Sequence, residues 1–267
     1  MPHRFLIYSN NTPTSNSTEE ILREKLEANG IIVSENLTDD VDLIVCIGGD
    51  GAFLEAVHNF DFPRIPFIGI NTGHLGFFQE ISPDDLDQFI DNYLAEKYVI
   101  QSMMTAKAVI EYGGQTDEFT ALNEIIVKSA GISAIHLDIS IGGGFIERFS
   151  GDGVLVSTPA GSTAYNYSLR GSIVDPRLEL LQVTPIAPMN TTAYRAFTSS
   201  ILLPPDLSLG IIPDVSRIKG HILVTYDSFA KEYDNVDGIR IMLSNQKVEL
   251  LRFENYDFWT KVKTKFL

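Results

Sequence analysis

The sequence predicts an α/β domain followed by an all-β domain, and three observations carry that prediction. The first hundred of its 267 residues alternate short apolar runs with helix-period patterns. After about residue 98 the runs become β-branched and aromatic and are separated by turn signals, as in an antiparallel β domain. Finally, Gly113-Gly114 and Gly142-Gly143-Gly144 supply the positive-φ residues that tight hairpins need. A composition 44% hydrophobic and 21% charged supports a substantial core and excludes disorder, collagen and disulfide scaffolds.

In chain order, residues 5–8 predict a strand and residues 17–28 a helix. Ser17 and Glu20 form a capping-box pattern at its start and Gly30 is a terminal glycine at its end. Strands follow at 31–33 and 43–47, a helix at 52–59, a strand at 66–70 and a helix at 83–93, where Ser82 is a cap and Pro83 takes the first helical position. The second texture places strands at 108–112, 119–128, 135–141, 145–149, 154–157, 200–203, 221–225, 239–243 and 248–253. Residues 256–266 read as a helix that docks by Phe258, Trp259 and Phe266. The predicted divisions are an α/β domain at 1–98, a β-rich domain at 99–254 and the C-terminal helix at 255–267.

Twenty Lys and Arg against 35 Asp and Glu give a net charge of −15. With no run of basic residues, polynucleotide binding is excluded, because that affinity comes from clustered positive charge on phosphates. Any anionic ligand has to be held by local design. The single cysteine, Cys46, lies in an apolar run and predicts a buried thiol with no intramolecular disulfide. Four apolar residues after Arg4 are too few for a signal sequence, and no apolar stretch approaches a bilayer span. A soluble, cytoplasmic protein without a membrane partner is the expectation.

The run Leu43-Ile44-Val45-Cys46-Ile47-Gly48-Gly49-Asp50-Gly51-Ala52 reads as a buried strand, a glycine turn and a helix start. Such a turn is an anion site, since absent Cβ atoms admit phosphate oxygens to the backbone and the helix N-terminus presents free N–H groups. Asp50 is the odd element: it either caps the helix or acts on a substrate. The third glycine of a dinucleotide fingerprint is missing and no Gly-Lys pair exists, so ordinary dehydrogenase and Walker-type loops are excluded. Asn71-Thr72-Gly73-His74-Leu75-Gly76-Phe77 would lie at the ligand-binding edge of the sheet, where His74 faces a ligand or is bonded within its own turn. Leu122-Asn123-Glu124 interrupts a strand pattern with two polar residues, so one of them points inward or toward a ligand unless both are ordinary edge-strand residues. Gly151-Asp152-Gly153 and Ser157-Thr158-Pro159-Ala160-Gly161-Ser162-Thr163-Ala164-Tyr165-Asn166 add small polar residues on glycine turns.

Together these four segments, in this order and spacing, resemble the NAD kinase family. The resemblance implies a Rossmann-like N-terminal domain, a β-sandwich-like C-terminal domain, and a site in the cleft between them. It implies phosphoryl transfer from ATP, or polyphosphate, to the 2′-hydroxyl of NAD, with Mg²⁺ arriving on ATP, no protein-built metal site, and a homotetramer or homodimer. Residue by residue, Asp50 matches the catalytic base and Gly51 its phosphate-turn neighbour, while Asn123 and Glu124 match the pair that holds the ribose. Phe77, Asp152, Thr163, Ala164, Tyr165, Asn166, Ser168 and Ala187 match positions lining the dinucleotide pocket, and His74 falls in the second motif. The chain departs from the family at Ala52 (usually threonine), at Ser150 (often arginine) and at Tyr167 (often lysine). The last two each remove a positive charge near an anionic ligand. Ser228 stands where some relatives have histidine after an aspartate, so the loop at Asp227 receives no catalytic role here. The competing readings are another kinase sharing the Gly-Gly-Asp-Gly turn, acting on a sugar phosphate or lipid, and a non-catalytic dinucleotide sensor. Asn123-Glu124 and residues 163–168 disfavour the first of these, and the intact Asp50 the second.

Overall fold

A computed structural model describes residues 2–73, 76–191, 195–214 and 221–266. They divide into two compact units, Met1–Ser102 with Lys247–Leu267, and Met103–Gln246.

The first unit contains β1 (Arg4–Ser9), α1 (Pro13–Ala28), β2 (Ile32–Ser34), β3 (Leu43–Gly48), α2 (Asp50–Asn59), β4 (Phe67–Asn71), β5 (Gln79–Ile81) and α3 (Leu86–Leu94). Its strands pair in parallel in the order β2-β1-β3-β4, with β5 also parallel on β4. β3 is buried at every position, as expected of a parallel strand covered on both faces. Phe5, Leu22, Leu26, Val45, Ile47 and Phe89 build the core that holds this sheet. α1 starts four residues earlier than the Ser17 pattern predicts. Thr12 is its cap, accepting from the Ser15 amide, and Pro13 occupies the first turn, so Ser17 lies inside the helix. At the other end Gly30, at φ +73°, donates to Glu27 O, and Ile31 donates to Leu26 O, a Schellman closure.

Two long strands, β6 (Tyr98–Tyr112) and β17 (Val236–Phe253), carry the chain from one unit into the other. The divide between the units falls within continuous strands, after Ser102 and after Gln246. In the first unit the end of β17 pairs in parallel with β4, Leu250 against Phe67, and α5 (Phe258–Phe266) follows it.

The second unit adds β7 (Gln115–Ala121), β8 (Glu124–Ser129), β9 (Ile135–Ile141), β10 (Gly144–Gly151), β11 (Gly153–Ser157), α4 (Tyr165–Ser168), β12 (Leu181–Ile186), β13 (Ile201–Leu203), β14 (Leu209–Pro213), β15 (Ile222–Tyr226) and β16 (Phe229–Tyr233). One sheet runs β13-β12-β11-β8-β15-β16, antiparallel throughout. The other contains β10-β9-β14-β17 and the β6-β7 hairpin, also antiparallel. Val127 and Val156 of the first sheet share one buried cluster with Leu137, Phe149 and Ile239 of the second. Gly113 and Gly114 turn the first hairpin at φ +53° and +78°, and Gly142 and Gly143 the next at +56° and +84°. The strand expected at 119–128 is broken at Leu122-Asn123 into β7 and β8, and the two expected at 239–243 and 248–253 are one strand.

Candidate active site

The glycine turn begins where β3 ends. Gly48 sits at φ +150°, and a Cβ there would lie 2.6 Å from that of Ala52, so both the backbone and the packing require glycine. Gly49 is the helix cap and Asp50 the first residue of α2. Asp50 is thus not the cap: its side chain turns away from the helix amides. Its Oδ2 accepts from the Phe77 amide at 2.9 Å and its Oδ1 from the Phe78 amide at 3.0 Å, while Lys265 Nζ stands 3.9 Å from Oδ2. The second motif, expected at the ligand edge, therefore supplies the donors that fix this carboxylate. A Cβ on Gly76 would come within 2.2 Å of Asp50 Oδ1, so the close approach depends on that glycine. Gly51 has an ordinary φ and open space where a Cβ would stand. The fold itself makes no demand for glycine there, and the space lies at the start of α2, where an anion meets free amides.

Gln79, buried in β5, donates from Nε2 to Gly49 O at 2.8 Å and braces the turn from behind. Phe77 is buried between Phe258 and Phe266 of α5, with ring centroids 5.8 and 5.7 Å away. His74 lies outside the described residues.

In the second unit a similar device recurs. The Asp227 carboxylate accepts from the amides of Leu122 at 2.9 Å, Asn123 at 2.7 Å and Glu124 at 3.3 Å, which ends β7 and starts β8 with a fixed kink. Asp227 itself is left-handed, at φ +50°. Sequence reasoning passed over it for want of a neighbouring histidine, although its role needs only the carboxylate. Thr158 secures the far side of the kink: its hydroxyl donates to Leu122 O, its amide to Asn123 O, and Gly161 packs so closely that a Cβ would lie 2.1 Å from Asn123 O.

Asn123 and Glu124 are buried, and Asn123 Oδ1 and Glu124 Oε2 have no hydrogen-bond partner among the described residues. Such atoms are costly unless something outside the chain satisfies them. Burial, reinforced by the nearby Asp227 charge, pushes the Glu124 carboxyl up to about 8.

Two expected pocket residues are committed elsewhere. Asn166 is fully buried: its Oδ1 accepts from Thr184 and its Nδ2 reaches Ser162 O and Ser172 O, so it braces the loop around α4. Ser150 is also fully buried, 2.8 Å from His136 Nδ1. Asp152, Tyr165 and Ser168 are exposed, Ala164 is half-buried and Thr163 buried. Ala187 is exposed at φ +43°, and its carbonyl with that of Ile186 fixes the close approach of Gly151.

Two sequence families cover these segments: the ATP-NAD kinase N-terminal domain matches residues 10–98 and the ATP-NAD kinase C-terminal domain residues 122–253. The chain belongs to the NAD kinase family. It is 40% identical to the NAD kinase of Finegoldia magna over 264 residues, which is 98% of this chain and 97% of that one. It is 34% identical to NAD kinase 1 of Oceanobacillus iheyensis over 271 aligned positions, 98% of each chain. Among solved structures, yeast NADH kinase complexed with NADH matches with a TM-score of 0.82 at 20% identity, covering 99% of this chain and 87% of that one. An NAD kinase from Archaeoglobus fulgidus in complex with ATP matches at 0.78 and 23%, covering 98% and 99%. These likenesses establish the NAD kinase fold, a mixed α/β unit followed by a mostly antiparallel β unit.

Proposed function

We propose that this enzyme transfers the γ-phosphoryl group of ATP to the 2′-hydroxyl of the adenosine ribose of NAD, giving NADP. The observation that carries the reading is the Asp50 carboxylate, fixed by two backbone amides beside a glycine turn in a chain of the NAD kinase family. In the transfer, the 2′-oxygen bonds to the γ-phosphorus while the bond to the departing ADP oxygen breaks, and the hydroxyl proton passes to Asp50. With a loose transition state that proton leaves late, so the main work of Asp50 is aiming the nucleophile. Gly51 and the first amides of α2 cradle phosphate oxygens. Asn123 and Glu124 hold the ribose, whose hydroxyls would satisfy their unpartnered oxygens. Phe77, Asp152, Thr163, Ala164, Tyr165, Ser168 and Ala187 shape the dinucleotide pocket, while Asn166 and Ser150 support it from within.

A divalent cation, Mg²⁺ by preference, neutralises the triphosphate when bound. Among the described residues no three His, Cys, Asp or Glu side chains stand together, so on this reading its ligands are phosphate oxygens and water. Exposed Phe145 and Ile146 on β10 and Ile212 on β14 support a homodimer or homotetramer. No helix among the described residues is long and apolar enough to cross a membrane. The buried Cys46 thiol suits the reducing cytoplasm, where ATP and NAD are at hand.

The deciding assay supplies ATP, Mg²⁺ and a panel of NAD, NADH, a hexose phosphate and diacylglycerol. ATP-dependent NADP formation is expected. Phosphorylation of the sugar or lipid alone would replace this reading with another kinase, and NAD binding without turnover would replace it with a sensor.

A further inference from the structure

The C-terminal helix reaches the back of the segment that holds Asp50. Lys261, on α5, extends its ammonium to the carbonyl oxygens of Gly76 at 3.5 Å, Phe77 at 3.4 Å and Gln79. Three donors thereby meet three acceptors, as an ammonium's geometry allows. The same residues, 76–79, carry the two amides that bind the Asp50 carboxylate, the glycine it packs on and the side chain that braces Gly49. Phe258 and Phe266 flank Phe77 from the same helix. A backbone whose carbonyls are pinned on one side has its amides aimed on the other.

We propose that Lys261 is a positioning residue for phosphoryl transfer: by clamping the carbonyls of residues 76–79 it aims the amides of Phe77 and Phe78, and through them the Asp50 carboxylate. The proposal rests on the reading of Asp50 as the group that orients the hydroxyl.

The chemistry of Lys261 supports a purpose beyond stability. Burial, with Arg252 and Lys265 nearby, lowers its proton affinity to about 8, against the opposing pull of Glu80 and Asp50. The Tyr256 ring also faces it, 5.2 Å from Nζ. Holding a half-buried ammonium away from water is unfavourable for folding, so an apolar residue here would suit stability alone. As pH rises through about 8 the ammonium loses a proton and the three-pronged clamp loses a donor.

The test compares Lys261→Met and Lys261→Arg, each in the native enzyme and with Asp50→Asn, and uses Lys263→Met, an exposed neighbour on α5, as control. Lys261→Met should lower kcat at least tenfold with KM for NAD and ATP within about threefold and calorimetric NAD binding retained. Lys261→Arg should restore most of kcat and remove the decline of kcat above pH 8, and Lys263→Met should change neither. In the Asp50→Asn enzyme, Lys261→Met should cost less than threefold. Undiminished kcat in Lys261→Met overturns the proposal. So does a loss that persists in full beside Asp50→Asn, or one that arginine leaves unrepaired. Failure of the underlying reading has a different signature, near-native turnover of the Asp50→Asn single variant whatever happens at Lys261.

Discussion

Asp50 and Glu124 are both carboxyl side chains, placed in opposite surroundings. Asp50 accepts two backbone amides and has a lysine within 4 Å, whereas Glu124 is buried near another carboxylate with one oxygen unpartnered. The first surroundings suit a group that aims a nucleophile as an anion. Asp50→Asn keeps the shape but removes the acceptor for the hydroxyl proton, so turnover should fall about 10² to 10⁴-fold, with NAD affinity by calorimetry little changed. Near-native turnover would reduce Asp50 to a brace for residues 77 and 78. For Glu124 the sign of the pH effect follows from its raised proton affinity. The folded state keeps a proton from the ordinary value of 4.5 up to about 8, where the unfolded chain has lost it. The stability from this group is therefore full below pH 4.5 and lost as pH rises through 8. Glu124→Gln keeps a neutral side chain at every pH, so the melting temperature of the native protein should drop relative to the variant between pH 5 and 8 and run parallel above. Parallel curves throughout would show that Glu124 is ionised in the fold.

At the scale of elements, the kink between β7 and β8 depends on its neighbours as much as on its own residues. Gly161 lies against the backbone of Asn123, and a methyl group there would meet carbonyl oxygen and Cα at 2.1 and 2.8 Å. Gly161→Ala should therefore displace Asn123, weakening NAD binding at least tenfold and costing about 1–3 kcal/mol in denaturant unfolding, the usual range for overpacking. Native affinity in this variant would separate the 160–163 turn from the ribose site. The kink also shows what the sequence could convey. Elements such as β3, a continuous apolar run between turn signals, and α2 and β9, with periodic apolar spacing, were legible because that patterning alone decides them. β5 was not, being three residues in a polar stretch. β12 contains Pro185 and β14 contains Gly210 and Pro213, which contradict strand propensity locally, and exposed β16 reads Phe-Ala-Lys-Glu-Tyr. At the site, Asp50, Asn123 and Glu124 were legible because their residue types are out of place in glycine turns and strands. Asp227, Gln79 and Lys261 were not, because each acts on a backbone distant in sequence. Likewise, Ser150 and Asn166 occupy motif positions, yet their buried hydrogen bonds point inward.

At the scale of the whole molecule, the first unit is discontinuous, and its completion waits for the last twenty-one residues of the chain, Lys247–Leu267. Leu251 and Phe253 of β17 lie in the same buried cluster as Phe5, Phe89 and Tyr93, and Leu250 pairs with Phe67. Arg252 is almost fully buried and meets Glu80 at 3.1 Å and Gln101 at 3.0 Å, while Glu80 also accepts from the Phe253 amide. A chain ending at Gln246 would lose the Arg252–Glu80 ion pair and the Phe253 amide bond to Glu80. It would also lose several buried large apolar side chains, each worth about 2–5 kcal/mol by comparison with truncation to alanine. Together these exceed much of the roughly 5–15 kcal/mol that stabilises a typical domain. The second unit, Met103–Gln246, is contiguous and has its own buried cluster. Limited proteolysis of the 1–246 chain should therefore degrade residues 1–102 and leave a resistant fragment starting near Met103, with part of the parallel-sheet circular dichroism lost. A fully resistant 1–246 chain melting at the native temperature would mean that β1 to α3 hold their sheet without β17, and that the C-terminal return serves the site alone.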